Sequence, residues 1–325
     1  MKKALVVGID YYNNGVQLSG CVNDSKKVRD LLEKNQDGTR NFAVKHISVS
    51  DSAKIITRKQ LKTMVEELFK NDNKIALFYF SGHGYIESTG GYLITSECEE
   101  GDSGLPLNEI LSLANDSPAL SKIIIIDACH SGAMGSPSTT TNIANIAEGV
   151  TILTASTADQ SAYEENGSGV FTSLLVHALS GGARNILGEI TPGSIYAYID
   201  QSLGPWKQRP IFKTNVKNFT KLRTVNAPIP LADLQKITEL FPTRDYKFQL
   251  DPSYEPERSG KEEKKMLSPQ KEHTEQFAIL QKMNRVNLVV PVDAPHMWHA
   301  AMYSKSCKLT ILGEHYWNLV KTEMI

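Results

Sequence analysis

A chain of 325 residues, 41% hydrophobic and 22% charged, can bury a full core and has the composition of an ordinary globular protein. Its formal net charge of −1 leaves no whole-chain electrostatic footprint for nucleic acid or an anionic membrane, so neither is an expected partner. Four cysteines, Cys21, Cys98, Cys129 and Cys307, lie far apart without metal-type spacing, which indicates neither a disulfide framework nor a zinc knuckle.

The opening run Ala4–Gly8 is too short for the apolar core of a signal peptide and leads directly into a strand pattern. No apolar stretch approaches the roughly 20 residues a membrane helix needs. A reducing cytoplasm is the expected compartment, and it would keep Cys129 a thiol.

Ala4–Ile9 reads as the first strand. Asn23 or Asp24 could cap the helix that runs through Val28, Leu31 and Leu32. Val44–Val49 is a second strand, and Leu61, Met64, Val65, Leu68 and Phe69 after Thr57 have the spacing of an amphipathic helix. Ile75–Phe80 is a buried strand that delivers Ser81-Gly82-His83-Gly84. A hairpin is expected at Gly90–Ile94, then an acidic loop, then a short helix over Leu107–Ala114.

Lys122–Ile126, four isoleucines in five residues, reads as a strand buried on both faces. It ends in Asp127-Ala128-Cys129-His130-Ser131-Gly132. The run Gly135–Thr141 reads as an exposed loop. Val150–Ala155 is a further strand, Phe171–Leu179 a helix closed by Gly181-Gly182, Pro192–Leu203 another helix, and Arg209–Phe212 a last short strand. Strands alternating with helices predict an α/β fold: a mostly parallel central sheet of about six strands, covered on both faces and joined by right-handed crossovers. The α/β part is placed at 1–224, a Pro-rich and charged linker at 225–275, and a small, mainly helical C-terminal unit at 276–325.

Cys129 and His83 each follow a buried strand and sit among small residues, at the strand ends where open α/β sheets build their sites. A thiol is mostly protonated at neutral pH, so a nucleophilic cysteine needs a base, and His83 is the candidate. The amides of Gly84 and Cys129 are candidate donors to the oxyanion of a tetrahedral intermediate. Either residue alone reads better as an inert core thiol or a satisfied polar group; the pair in matching contexts favours chemistry.

These two blocks resemble the histidine and cysteine blocks of the caspase-like cysteine peptidases. The caspase signature Q-A-C-[RQG]-G places its histidine about 50 residues upstream, as here. Asp127 in place of glutamine, and His130-Ser131-Gly132 after the cysteine, are similar instead to the metacaspase and bacterial orthocaspase branch. Gly20-Cys21-Val22-Asn23-Asp24 and Ala155-Ser156-Thr157-Ala158-Asp159-Gln160 extend the resemblance, which runs from Ala4 to about Phe212.

The resemblance implies a caspase-like fold and a cysteine endopeptidase that cleaves protein or peptide substrates after Arg or Lys through a thioester intermediate. It also implies regulation, within a cell-death or antiviral circuit. It places Asp24 and Asp127 in an acidic S1 pocket, with Ser81 and Cys21 on its wall, where carboxylates can hold a guanidinium through charge-assisted bonds. The rival readings are a helix cap for Asp24 and a turn cap for Asp127. No cofactor or metal site is expected. Glu97, Glu99, Glu100 and Asp102 could gather calcium, but a solvated acidic loop is the favoured reading. The stretch Ala133–Ala147 has no Arg or Lys, so self-cleavage there by a basic-specific enzyme is not expected, and Arg184 is the nearest downstream basic site.

Two rivals stand beside the peptidase. One is a catalytically silent scaffold, against which the intact Cys129 and His83 argue. The other is a regulator binding DNA or protein through the C-terminal unit, whose last segment is faintly similar to the ends of winged-helix modules. His296, His299 and His315 lack a metal-type spacing and are read as surface or packing residues.

Overall fold

The computed structural model describes residues 1–87, 90–98, 103–128, 145–155, 164–165, 168–203, 210–258, 260 and 266–325, with the side chains of 164, 165 and 168 left aside. The chain forms two units, Met1–Asn226 and Ala227–Ile325.

In the first unit β1 (Lys2–Ile9), α1 (Cys21–Glu33), β2 (Ala43–Val49), α2 (Arg58–Phe69) and β3 (Ile75–Ser81) form two successive strand–helix–strand crossovers. Thr57 caps α2 through a box: its hydroxyl accepts the Gln60 amide while the Gln60 side chain accepts the Thr57 amide. Short strands β4 (Gly84–Glu87), β5 (Gly90–Leu93) and β6 (Leu105–Pro106) make a small antiparallel sheet before α3 (Leu107–Asn115). Then come β7 (Ser121–Asp127), β8 (Val150–Thr154), β9 (Glu164–Glu165), β10 (Ser168–Gly169), α4 (Val170–His177), β11 (Glu189–Ile190), α5 (Pro192–Ser202), β12 (Ile211–Asn215) and β13 (Arg223–Thr224).

The central sheet has the order β12-β8-β7-β3-β1-β2, parallel throughout except for β12, which runs antiparallel to β8. This is the mostly parallel six-strand sheet expected from the alternation of strands and helices. Period-2 alternation sorts its core into two layers. Phe78, Phe80, Ile124 and Ile126 pack with Leu61, Val65 and Ile110 of α2 and α3. Leu77, Tyr79, Ile123 and Ile125 pack with Val28, Leu175 and Ile195 of α1, α4 and α5. All seven residues of β3 and of β7 are buried, which explains why both read as unbroken apolar runs. Each fully buried Phe or Ile contributes about 1.5–3 kcal/mol relative to exposure.

The second unit contains α6 (Leu231–Gln235), α7 (Ile237–Leu240), β14 (Phe248–Gln249), α8 (Lys271–Arg285), β15 (Val289–Val292), α9 (Met297–Met302), β16 (Ser306–Leu309) and α10 (Ile311–Lys321). Its helices surround an antiparallel sheet of order β14-β16-β15, which periodicity in the sequence does not announce. The unit also begins earlier than the expected linker allows. Residues 227–258 carry α6, α7 and β14, and Leu234, Ile237, Phe241 and Leu250 are buried. The prolines punctuate short elements: Pro230 precedes α6 and Pro252 opens a 3-10 turn capped by Asp251. The charged run Lys261–Lys265 lies outside the described residues. Among the described residues, no helix is long and apolar enough to cross a membrane.

Close approach of α1 to β1 fixes the top of the first unit. A Cβ on Gly8 would lie 2.3 Å from the Cys21 carbonyl oxygen and 2.4 Å from Ser25 Oγ. Gly8→Ala is therefore expected to destabilise this unit by ~1–3 kcal/mol through overpacking. Urea unfolding checks this; an unchanged midpoint would contradict the close packing.

Candidate active site

At the carboxyl ends of three parallel strands, Gly8 of β1, Ser81 of β3 and Asp127 of β7 stand in one register. The topology reverses here, since β1 is followed by β2 on one side and β3 on the other, and such a switch opens a crevice above the strand ends. Ser81 and Asp127 share a sheet face with Tyr79 and Ile125, the face covered by α1 and α4.

Asp127 is only 6% exposed, and its Oδ2 accepts a 2.6 Å hydrogen bond from the Thr172 hydroxyl of α4. Tyr79 Oη lies 2.7 Å from Thr172 Oγ1. A threonine hydroxyl has one hydrogen, and Thr172 spends it on the carboxylate, so Tyr79 is the donor in that second bond. Burial, then the negative charges of Asp127 and Asp24, push the Tyr79 phenol well above its ordinary value, which keeps that donor in place.

Asp24 is 1% exposed and lies inside α1, not at its cap. The cap position falls to Gly20, and Asp10 takes over from the end of β1: its Oδ1 accepts the Cys21 amide at 2.8 Å and the Val22 amide at 3.4 Å. That leaves Asp24 Oδ2 to accept the Gly169 amide at 2.9 Å. Lys27 Nζ stands 3.9 Å from the other oxygen. A Cβ on Gly169 would fall 2.4 Å from Asp127 Oδ2, so the carboxylates of Asp24 and Asp127 converge on the same glycine. Cys21, 6% exposed, opens α1, and Ser81, 2% exposed, closes β3.

His83 stands two residues past β3 and is half-buried. Its backbone N–H donates to Tyr12 Oη at 2.8 Å, and the Tyr12 hydroxyl donates to the Ile9 carbonyl at 3.2 Å. The two rings lie 4.6 Å apart at 51°. His83 Nε2 is 2.7 Å from the Val16 carbonyl oxygen. A carbonyl can only accept, so Nε2 carries the proton and Nδ1 is the nitrogen with a lone pair. Gly84, also half-buried, begins β4. Cys129 and His130 lie outside the described residues; the chain places Cys129 two positions after Asp127. Of the acidic loop, Glu97 accepts the Arg58 amide at 2.8 Å, while Glu99, Glu100 and Asp102 lie outside the described residues.

Tyr12, Val16, Gly169 and Thr172 escaped the sequence reading. Tyr12 carried a signal, being an aromatic residue just past a strand end, but Val16 acts through its backbone and Gly169 lies 145 residues from the carboxylate it meets.

Helix α1 is also tied to the sheet edge by His46 of β2, whose Nε2 is 3.0 Å from Ser25 Oγ. The Ser25 hydroxyl donates to the Val22 carbonyl, so it accepts from Nε2–H; Arg29 Nη1, 3.4 Å from Nδ1, can only donate, so Nδ1 holds a lone pair and the imidazole is neutral. Burial, then the charges of Arg29 and Lys26, hold His46 below its ordinary value of 6.5, with Asp30 opposing.

Replacing Thr172 by Val leaves buried Asp127 and Tyr79 short of a partner and is expected to cost ~1–3 kcal/mol, read by chemical unfolding. For His46 the folded state binds a proton less readily than the unfolded chain. Its stabilisation is complete above pH 6.5 and declines as the pH falls from 6.5 toward the lower folded value. A His46→Gln chain should lose this part of the pH dependence; an identical stability profile between pH 5 and 7 would contradict the assignment.

Residues 1–224 match the caspase domain of the C14 peptidases. Over 157 residues the chain is 32% identical to metacaspase-1 of Plasmodium falciparum, an alignment covering 41% of this chain and 24% of that protein. Over 152 residues it is 32% identical to Arabidopsis thaliana metacaspase-8, covering 41% and 38%. The chain thus spans well under half the length of these curated relatives. Among solved structures, caspase-1 of Spodoptera frugiperda superposes with a TM-score of 0.51 at 13% identity, over 69% of this chain and 90% of that one, a likeness of fold. The chain belongs to the caspase domain family of cysteine-type endopeptidases, and its curated relatives are metacaspases.

Proposed function

We propose that this chain is a cysteine endopeptidase that cleaves protein or peptide substrates after Arg or Lys, with Cys129 as nucleophile and His83 as base. The observation that carries the specificity is the meeting of Asp24 and Asp127, both buried, at Gly169 beneath the ends of β3 and β7. Two carboxylates in a largely dry recess favour a guanidinium or ammonium, and they oppose an aspartate at the same position. Ser81 and Cys21 form the wall beside them.

In the proposed reaction, His83 Nδ1 takes the Cys129 proton, and the imidazolium is stabilised by the Val16 carbonyl at Nε2. The thiolate attacks the carbonyl carbon, and the amides of Gly84 and Cys129 bind the oxyanion. As the tetrahedral intermediate collapses, the C–N bond breaks and the imidazolium proton passes to the leaving amine, giving a thioester. Water then loses a proton to His83, attacks the thioester and releases the carboxylate product and the thiol.

This chemistry needs no metal. Membership of a regulated cell-death or defence circuit rests on the family resemblance alone.

Release rates from fluorogenic peptides ending in Arg, Lys and Asp test the specificity. Arg and Lys are expected to exceed Asp by about 100-fold or more, the discrimination that a buried charge of one sign enforces. Cys129→Ala is expected to abolish turnover while leaving the unfolding midpoint unchanged. Preference for Asp, or activity surviving in Cys129→Ala, would overturn the reading.

A further inference from the structure

The segment that supplies the Val16 carbonyl is exposed, Val16 itself being 77% accessible, so apolar burial does not fix its shape. Hydrogen bonds do. The Gln17 side chain folds back on Tyr12: Oε1 accepts the Tyr12 amide at 2.9 Å, and Nε2 donates to the Tyr12 carbonyl at 2.6 Å. The same Nε2 donates to the Gly15 carbonyl at 3.2 Å. Backbone bonds from Asn13 to Ser96 at 2.9 Å and from Leu18 to Asp10 at 2.8 Å pin the two ends of the loop.

These contacts close a circuit. Tyr12 Oη holds the His83 backbone, His83 Nε2 donates to the Val16 carbonyl, Val16 is bonded to Gln17, and the Gln17 amide grips both polar groups of the Tyr12 backbone. One buried aromatic residue thereby references both the main chain of the histidine and the carbonyl that orients its ring. We propose that Gln17 is a positioning residue for His83, fixing the Val16 carbonyl so that Nε2 keeps its proton and Nδ1 keeps its lone pair for the proton of the nucleophile.

A side chain that only shaped a turn would affect stability. One that positions the Val16 carbonyl must affect the imidazolium. Without a held carbonyl the charged ring loses its acceptor, so proton transfer from the nucleophile slows. The inference rests on the reading of His83 as base.

The test compares the full-length wild type with Gln17→Ala and Gln17→Glu on a fluorogenic peptide ending in Arg. In Gln17→Ala, kcat is expected to fall about 10- to 100-fold, the scale of a misplaced general base, with KM within about twofold. The unfolding midpoint stays put. Gln17→Glu, which keeps the acceptor for the Tyr12 amide, recovers part of the loss. An unchanged kcat overturns the inference, as does an effect on KM alone. A Gln17→Ala chain that fails to fold also overturns it, because the residue would then be a support of the domain. A wild type that leaves Arg and Lys peptides intact overturns the peptidase reading and this inference with it; an active wild type matched by Gln17→Ala overturns this inference alone.

Discussion

The in-register termination of β1, β3 and β7 is the constraint on which the first unit depends. Parallel strands need helical crossovers, the crossovers cover both faces, and buried faces demand the apolar runs that dominate β3 and β7. The chain turns polar only where those strands stop. At that level the sheet holds Gly8, Ser81 and Asp127 side by side, α1 brings Cys21 and Ser25 over Gly8, and α4 brings Thr172 to Asp127. Fold and site are thus set by one geometric fact. A one-residue slip in any of these strands would send Ser81 or Asp127 to the α2 and α3 face.

Charge placement follows from the same arrangement. Carboxylates as buried as Asp24 and Asp127 are costly unless hydrogen-bonded. Here the Gly169 amide and the Thr172 hydroxyl meet that demand, and Tyr79 supports Thr172 from the core. Glycine at position 169 is required by space, since the site of its missing Cβ is where Asp127 Oδ2 lies. Past the end of β3, Tyr12 and Val16 treat His83 in the same manner, with one partner for the main chain and one for the ring.

Elements with strong local signals were legible in the sequence. The isoleucine run gave β7, Thr57 ahead of an amphipathic pattern gave the start of α2, and Pro192 gave that of α5. Two glycines marked the β4–β5 hairpin, expected at Gly90–Ile94, but strands of two to four residues such as β6 and β14 to β16 carry too little alternation to be read. Prolines between residues 228 and 256 suggest a linker when counted, yet they mark the ends of packed elements. Pro291 shows the same rule in β15, an edge strand where a missing amide is tolerated. In the site, the side chains that bear charge were visible by type and position. Their supports were not, because a carbonyl such as that of Val16 has no residue signature, and Asp24 was mistaken for a cap candidate when Asp10, eleven residues before Cys21, does that work.

The central claim is that a sulfur at Cys129, an imidazole at His83 and a carboxylate-lined recess act on one substrate residue. Covalent labelling by a peptide acyloxymethyl ketone with Arg at P1, followed by mapping of the modified residue, addresses all three together. The account predicts a single adduct on Cys129 that is lost in His83→Ala and does not form with the matching Asp reagent. Labelling of Cys21, Cys98 or Cys307 instead, or equal labelling by the Asp reagent, would contradict it.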